Sequence, residues 1–140
     1  MVEIDGRIIR GFSWATKYLK MQMPLIARQF PEIARCHRGS INVLLDKPLR
    51  IHKPDFITRE IDWGVMKEVF HFTRIRFALL PRTGRPRTHK AWIYGPQNSP
   101  HRGNVFYVEV ITRKIDLGRI KRCRICIDRP HRLVPLTIIE

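Results

Sequence analysis

The sequence predicts a mostly β fold, a small closed barrel of about six strands with one short helical insertion. Three observations carry this expectation. Short runs alternate apolar with polar residues, as half-buried strands do. Clusters of Pro, Gly and Asn separate those runs. Only one stretch has helical spacing, and there is no strand–helix–strand alternation of the kind a parallel sheet needs. With 140 residues the chain fits a single domain, residues 1–140, and a core at this size can bury well over half of the unfolded surface.

Taken in order, IDGRIIRGF (4–12) reads as a first strand ending at Gly11, and residues 13–18 as a loop of small and hydroxyl residues. A helix is expected from about Met23, with Pro24 in its first turn and Leu25, Ile26, Phe30 and Ile33 near helical spacing. Pro31 should break it. His37-Arg38-Gly39 turns into a second strand, SINVLLD, which Lys47-Pro48 ends, and residues 49–62 read as irregular. From Trp63 to Leu80 the alternation predicts strands. The turn cluster 81–86 followed by HKAWIYG predicts a hairpin. After the loop PQNSPHRGN come VFYVEVIT and, past Leu117-Gly118, a last strand GRIKRCRICID. The tail RPHRLVPLTIIE is expected to pack back on the domain.

Charge is the dominant compositional signal. Lys and Arg outnumber Asp and Glu by 27 to 12, a net charge of +15, with Arg in excess of Lys. The planar guanidinium matches phosphate oxygens, so a nucleotide or another polyanion is the expected ligand class. No apolar run approaches the length of a membrane span, and the N-terminus MVEIDGRIIRG lacks the pattern of a signal peptide, so a cytoplasmic location without membrane contact is expected. The cysteine count, three, is odd and argues against a disulfide framework. Cys123 and Cys126 form a C-x-x-C, but a regular strand through them points the two thiols to opposite faces, which disfavours zinc.

Two sets of residues could carry chemistry. In Gly39-Ser40-Ile41-Asn42-Val43-Leu44-Leu45, the residues Ile41, Val43 and Leu45 share one strand face. Ser40 and Asn42 project from the other, two neutral oxygen donors about 7 Å apart along the strand. Such a pair suits Mg²⁺, which keeps several waters and takes charge compensation from substrate phosphates. It also suits an ordinary strand start with a turn-capping Ser. Glu109 shares a face with Val105, Tyr107 and Ile111. A carboxylate in such a setting is a proton acceptor with a raised pKa, or the partner of one of the many arginines.

These pieces resemble, in order and over most of the chain, the CTP-dependent riboflavin kinases best known from archaea. Gly6-Arg7-Ile8-Ile9-Arg10-Gly11 is similar to the opening G-x-V-x-x-G strand, and Gly39-Ser40-Ile41-Asn42 to the G-T-L-N motif. Pro96-Gln97-Asn98-Ser99-Pro100-His101 is similar to the P-x-x-T-x-H loop, and Tyr107-Val108-Glu109-Val110-Ile111 to the I-I-E-I-I strand. The resemblance implies a cradle-loop six-stranded barrel in which Ser40 and Asn42 hold Mg²⁺. It implies that Ser99 and Glu109 hold riboflavin, that Glu109 is the catalytic acceptor of the ribityl proton, and that CTP is the phosphoryl donor yielding FMN.

The likeness stops at the nucleotide loop. The family's G-x-G-E-G reads here Gly11-Phe12-Ser13-Trp14-Ala15-Thr16, with one glycine, so Ser13, Thr16 and Lys17 would supply side-chain donors beside Gly11 and Phe12. The A-P-x-x-L-R segment reads Thr112-Arg113-Lys114-Ile115-Asp116-Leu117, without the proline, and the D-G-D turn is replaced by Leu117-Gly118-Arg119. Arg113 and Lys114, with Lys17, are the expected phosphate contacts by charge and location. A second function class is a non-catalytic basic barrel that binds nucleic acid through Arg119, Lys121, Arg122 and Arg124; Trp14 or Trp92 could stack on bases, though a place in the buried core is the stronger expectation for either. A third is a flavin or nucleotide sensor without chemistry.

Overall fold

A computed structural model describes residues 1–10, 14–97 and 103–128, and the side chains of these except 14–16. Strand β1 (Val2–Ile9) is followed by helix α1 (Trp14–Gln29) and a 3₁₀ turn (Pro31–Ile33). Then come β2 (Ile41–Leu45), the two-residue strands β3 (Phe56–Ile57), β4 (Ile61–Asp62) and β5 (Lys67–Glu68), and the long β6 (Phe70–Leu80). β7 (Arg87–Pro96), β8 (Tyr107–Thr112) and β9 (Arg122–Ile127) complete the order.

Six strands close into an antiparallel ring. Its order is β6-β7-β8-β2-β1-β9, and β9 returns to β6. The expected closed barrel is therefore what the chain forms. The expected hairpin is β6–β7, in register from Phe70↔Pro96 to Leu79↔Arg87. β3 extends the free edge of β6 at Phe72 and His71, and β4 pairs with β5 apart from the ring.

Period-two alternation sorts the side chains. Ile4 and Ile8, Val43 and Leu45, Ile75, Phe77 and Leu79, Ala91 and Ile93, Val108 and Val110, and Cys123, Ile125 and Ile127 point inward and fill the barrel with an apolar core. Cys123 faces that core, while Cys126 faces outward near Glu3. This is the opposed arrangement a strand demands.

A second apolar cluster lies outside the ring. α1 lays Leu19, Met23 and Ile26, and Phe30 just past its end, over Phe70 and Phe72 of β6, Tyr94 of β7 and Ile111 of β8. Phe30 stacks on Phe56 at 4.4 Å and meets the edge of Trp92 at 6.4 Å. Trp92 thus packs beside the helix and is half-buried, not presented for base stacking.

The helix departs from expectation. It begins at Trp14 and runs through Pro24, where a start near Met23 was expected. Pro24 lacks the N–H that would bond the carbonyl four residues back, but it is exposed, so water can serve that carbonyl. The buried spacing of Leu19, Met23, Ile26 and Phe30 outweighs the local penalty. The break at Pro31 is observed as the switch to a 3₁₀ turn. The first strand, Val2–Ile9, begins two residues before the expected 4–12 and ends at Ile9, the last strand begins at Arg122 and not at Gly118, and the irregular stretch 49–62 contains the small β3 and the start of the β4–β5 pair. The tail from residue 129 lies outside the described residues.

Gly6 has a steric role at the barrel seam. A Cβ there would meet Val43 Cγ1 at 2.8 Å and the Leu44 carbonyl oxygen at 2.9 Å. The second contact is backbone and cannot swing away. Gly6→Ala is expected to lower unfolding free energy by about 1–3 kcal/mol, read as a lower urea midpoint at unchanged m-value. Gly95→Ala, whose Cβ would find His71 Cβ at an ordinary 3.7 Å, should shift the midpoint far less.

Candidate active site on the outer wall of the barrel

Strand register assembles the site. Asn42 of β2 lies opposite Glu109 of β8, Glu109 opposite Tyr94 of β7, and Tyr94 opposite Phe72 of β6. Paired residues in antiparallel strands point to the same face, so these four side chains form one row across the outer wall. Ser40, two residues before Asn42, joins the same face.

The two expected metal-binding residues and the expected acceptor therefore come together. The Ser40 hydroxyl oxygen lies 3.2 Å from Asn42 Oδ1 and 3.3 Å from Glu109 Oε1. One hydroxyl carries one proton. With Glu109 ionised, Ser40 donates to it. With Glu109 protonated, the carboxyl can donate to Ser40, which then donates to Asn42.

Burial sets the chemistry of Glu109. It pushes the carboxyl up to about 7 from an ordinary 4.5, with the Ser40 hydrogen bond opposing that rise. The glutamate is thus poised between acid and base near neutrality. No arginine forms an ion pair with it among the described residues, so the salt-bridge alternative for this position is not what the structure has.

Around it the wall is polar but shielded. The Tyr94 hydroxyl donates to Gln22 Oε1 of α1, and both side chains are buried. Burial, and then the charge of Glu109, raise the Tyr94 phenol, and the same causes push Tyr107 up to about 12. Trp63 Nε1 donates to the buried Glu68 at 2.9 Å, and Glu68 is close enough to add to the upward push on Tyr94. Gln22, Tyr94 and Glu68 were not singled out from the sequence. Their signal is cross-strand register and helix docking, which no linear spacing displays.

A cavity of about 430 Å³ opens beside this row. Tyr94, Tyr107 and Glu109 line it together with Leu49, Ile51 and Val105, and so do Gln97 and Gly103 from the two stems of the β7–β8 loop. Its size lies in the range of small-molecule sites, with apolar walls and few polar groups.

The remaining expected positions are less gathered. Arg113 and Lys114 follow β8 directly and are exposed. The His37 amide donates to the Thr112 carbonyl at 2.8 Å, which seats Arg113 near the β2 entry, and its charge reaches Cys36. Lys17 is exposed on the first turns of α1. Thr16 has its backbone in α1, but its side chain lies outside the described set; Gly11, Phe12, Ser13 and Ser99 lie wholly outside the described residues.

The donor set is compatible with Mg²⁺. Ser40 Oγ, Asn42 Oδ1 and the Glu109 carboxylate are oxygens on neighbouring strands, with a single anion among them. A hard cation there would rely on water and substrate phosphates for its other ligands. Asn42 is only 5% exposed, which leaves Ser40 and Glu109 as the accessible edge.

The raised pKa has a consequence for stability. The ionised form is disfavoured in the folded state, so the unfolded chain sheds this proton first. Stability from this group is fully present below about 4.5 and declines as pH rises to about 7. Glu109→Gln removes the titration. Its stability relative to the parent is expected to increase between pH 4.5 and 7, at up to about 1.4 kcal/mol per pH unit, by urea unfolding across that range. A constant difference would contradict the buried assignment. A scan against protein-family models and a comparison with curated proteins both find no match, so the site is read from its own geometry.

Proposed function

We propose that the protein is a Mg²⁺-dependent phosphotransferase resembling riboflavin kinase, moving a nucleotide phosphoryl group, with CTP the donor by resemblance, to the ribityl 5′-hydroxyl of riboflavin. The observation that carries this reading is the contact of Ser40 with both Asn42 and Glu109 at the edge of a cavity of about 430 Å³. The sequence likeness assigns these three residues to one reaction, and the barrel wall brings them within hydrogen-bond reach.

In this reading the apolar walls, Leu49, Ile51 and Val105, take the flat flavin ring, and its ribityl chain runs toward Glu109. The hydroxyl oxygen attacks the terminal phosphorus, the bond to the bridging oxygen breaks, and the nucleoside diphosphate leaves. The hydroxyl proton passes to the Glu109 carboxylate, whose midpoint near 7 suits a general base. Ser40 holds that carboxylate in place. Mg²⁺, held by Ser40 and Asn42, would neutralise phosphate charge. Arg113 and Lys114, exposed just beyond the same strand, are the proposed phosphate contacts. Phosphoryl transfer asks chiefly for such positioning and charge neutralisation.

The test is FMN formation from riboflavin and Mg²⁺ with CTP, ATP, GTP and UTP in parallel, followed by chromatography. FMN from at least one donor is expected. Glu109→Gln should lower kcat by about 10²–10⁴, and Asn42→Ala should abolish metal-dependent turnover while the barrel, whose core Asn42 does not enter, stays folded. For the parent, kcat/KM should rise with pH up to about 7 and level off above it, because the base must be ionised. No FMN with any donor from folded protein, or full activity in Asn42→Ala, would overturn the reading.

A further inference from the structure

The positive charge is not spread evenly over the barrel. On the β9–β1 wall the outward arginines of β9 each have an acid, while the exposed Arg7 of β1 forms no ion pair among the described residues. Arg122 pairs with Asp46, Arg124 with Asp5 at 2.6 Å, and Arg76 of neighbouring β6 with Asp128 at 2.6 Å. The stripe expected along β9 is therefore half neutralised: Arg122 and Arg124 are engaged within the fold, and only Arg119 and Lys121 of that set lie ahead of the strand without an acid.

One end of the barrel is different. The tip of the β6–β7 hairpin and the segment leading into β9 meet there. Leu80 lies opposite Arg122, the Arg87 guanidinium reaches the Asp116 carbonyl at 3.4 Å, and the Ile8 amide donates to the Lys121 carbonyl at 2.8 Å. Residues 82–90 and 119–121 bring Arg82, Arg85, Arg87, Lys90, Arg119 and Lys121, with no acid in either segment. All six are exposed, and among the described residues none forms an ion pair. The nearest acid in sequence, Asp116, spends its carboxylate on the Gly118 amide at 2.8 Å. Gly84 and Gly118, at φ of 94° and 52°, turn the two tips, and a Cβ built on either would find nothing within 4 Å. The tips stand open to solvent.

We propose that this basic end is a docking surface for the phosphodiester backbone of a nucleic acid. Four of the six side chains are arginines, whose forked donors match phosphate oxygens. Neutralising a polyanion there releases condensed counterions. The surface does not suit a bilayer or an apolar protein interface. Among the described residues the exposed large apolar side chains, Met1, Met21, Ile57, Val65, Met66 and Phe106, all belong to other segments. Arg113 and Lys114 are left out of the surface, so it stands apart from the proposed phosphotransfer.

The test uses the full chain and fluorescence anisotropy with a labelled DNA duplex of mixed sequence and, separately, a single-stranded RNA. Binding is expected to weaken by at least about tenfold between about 50 and 200 mM salt. R82Q/R85Q/R119Q should weaken it at least tenfold further and reduce the salt slope by about three. K20Q/K47Q/K67Q removes the same charge from exposed positions elsewhere and should stay within about threefold of the parent. Thermal unfolding of both triple variants checks that the fold is kept. The better-bound probe names the class of nucleic acid. Equal losses in the two triple variants, no binding by the parent at low salt, or binding confined to anionic lipid vesicles would overturn the proposal.

Discussion

The pairing of β6 on both of its edges is the constraint on which the rest of the molecule depends. β7 runs along one edge for almost the whole strand, and β9 takes the other edge only from Arg76 to Leu80. That second pairing closes the ring. The earlier half of β6 extends past the closure and carries Phe70 and Phe72 outward, where α1 covers them. A ring of six strands is filled by its own inward side chains. With the interior occupied by apolar groups, polar chemistry has to be built on the outer wall, and closure fixes the register that places Asn42, Glu109 and Tyr94 in a row there.

That row shows how polar side chains on an outer sheet face come to be shielded from water. Burial takes water away from Glu109, and although Arg50 lines the same cavity, no ion pair with Glu109 is formed among the described residues. Among the described residues its carboxyl has the Ser40 hydroxyl as hydrogen-bond partner, and its proton affinity is raised. The β9–β1 wall solves the opposite problem. There Arg122 and Arg124 stay near water and are paired with Asp46 and Asp5, an arrangement that contributes little stability per pair but offsets part of the charge on that flank. The hairpin end, by contrast, carries six exposed basic side chains without an ion pair among the described residues.

Much of this could be read from the sequence, and the limits have physical reasons. Alternation in RICID and in YVEVIT displays inward and outward faces directly, and the i, i+2 relation of Ser40 and Asn42 needs nothing beyond strand geometry. The closed barrel follows from counting such segments. The start of α1 was hidden because Pro24 is a strong local breaker, while the burial of Leu19 and Met23 that overrides it is a tertiary effect. Tyr94 and Gln22 gain their meaning only from register and helix docking. The acids that neutralise Arg122 and Arg124 lie 76 and 119 residues away in sequence, so the run of basic residues could not by itself distinguish a free stripe from an ion-paired wall.

The most direct test of the account is a site-resolved titration of the Glu109 carboxyl by ¹³C NMR, assigned with Glu109→Gln. A midpoint near 7 in the folded protein is the predicted result, because burial against a single hydroxyl partner is what makes this wall a candidate active site. A midpoint in the ordinary range near 4.5 would mean that Glu109 is solvated or paired with a cation, and would contradict the account at its centre.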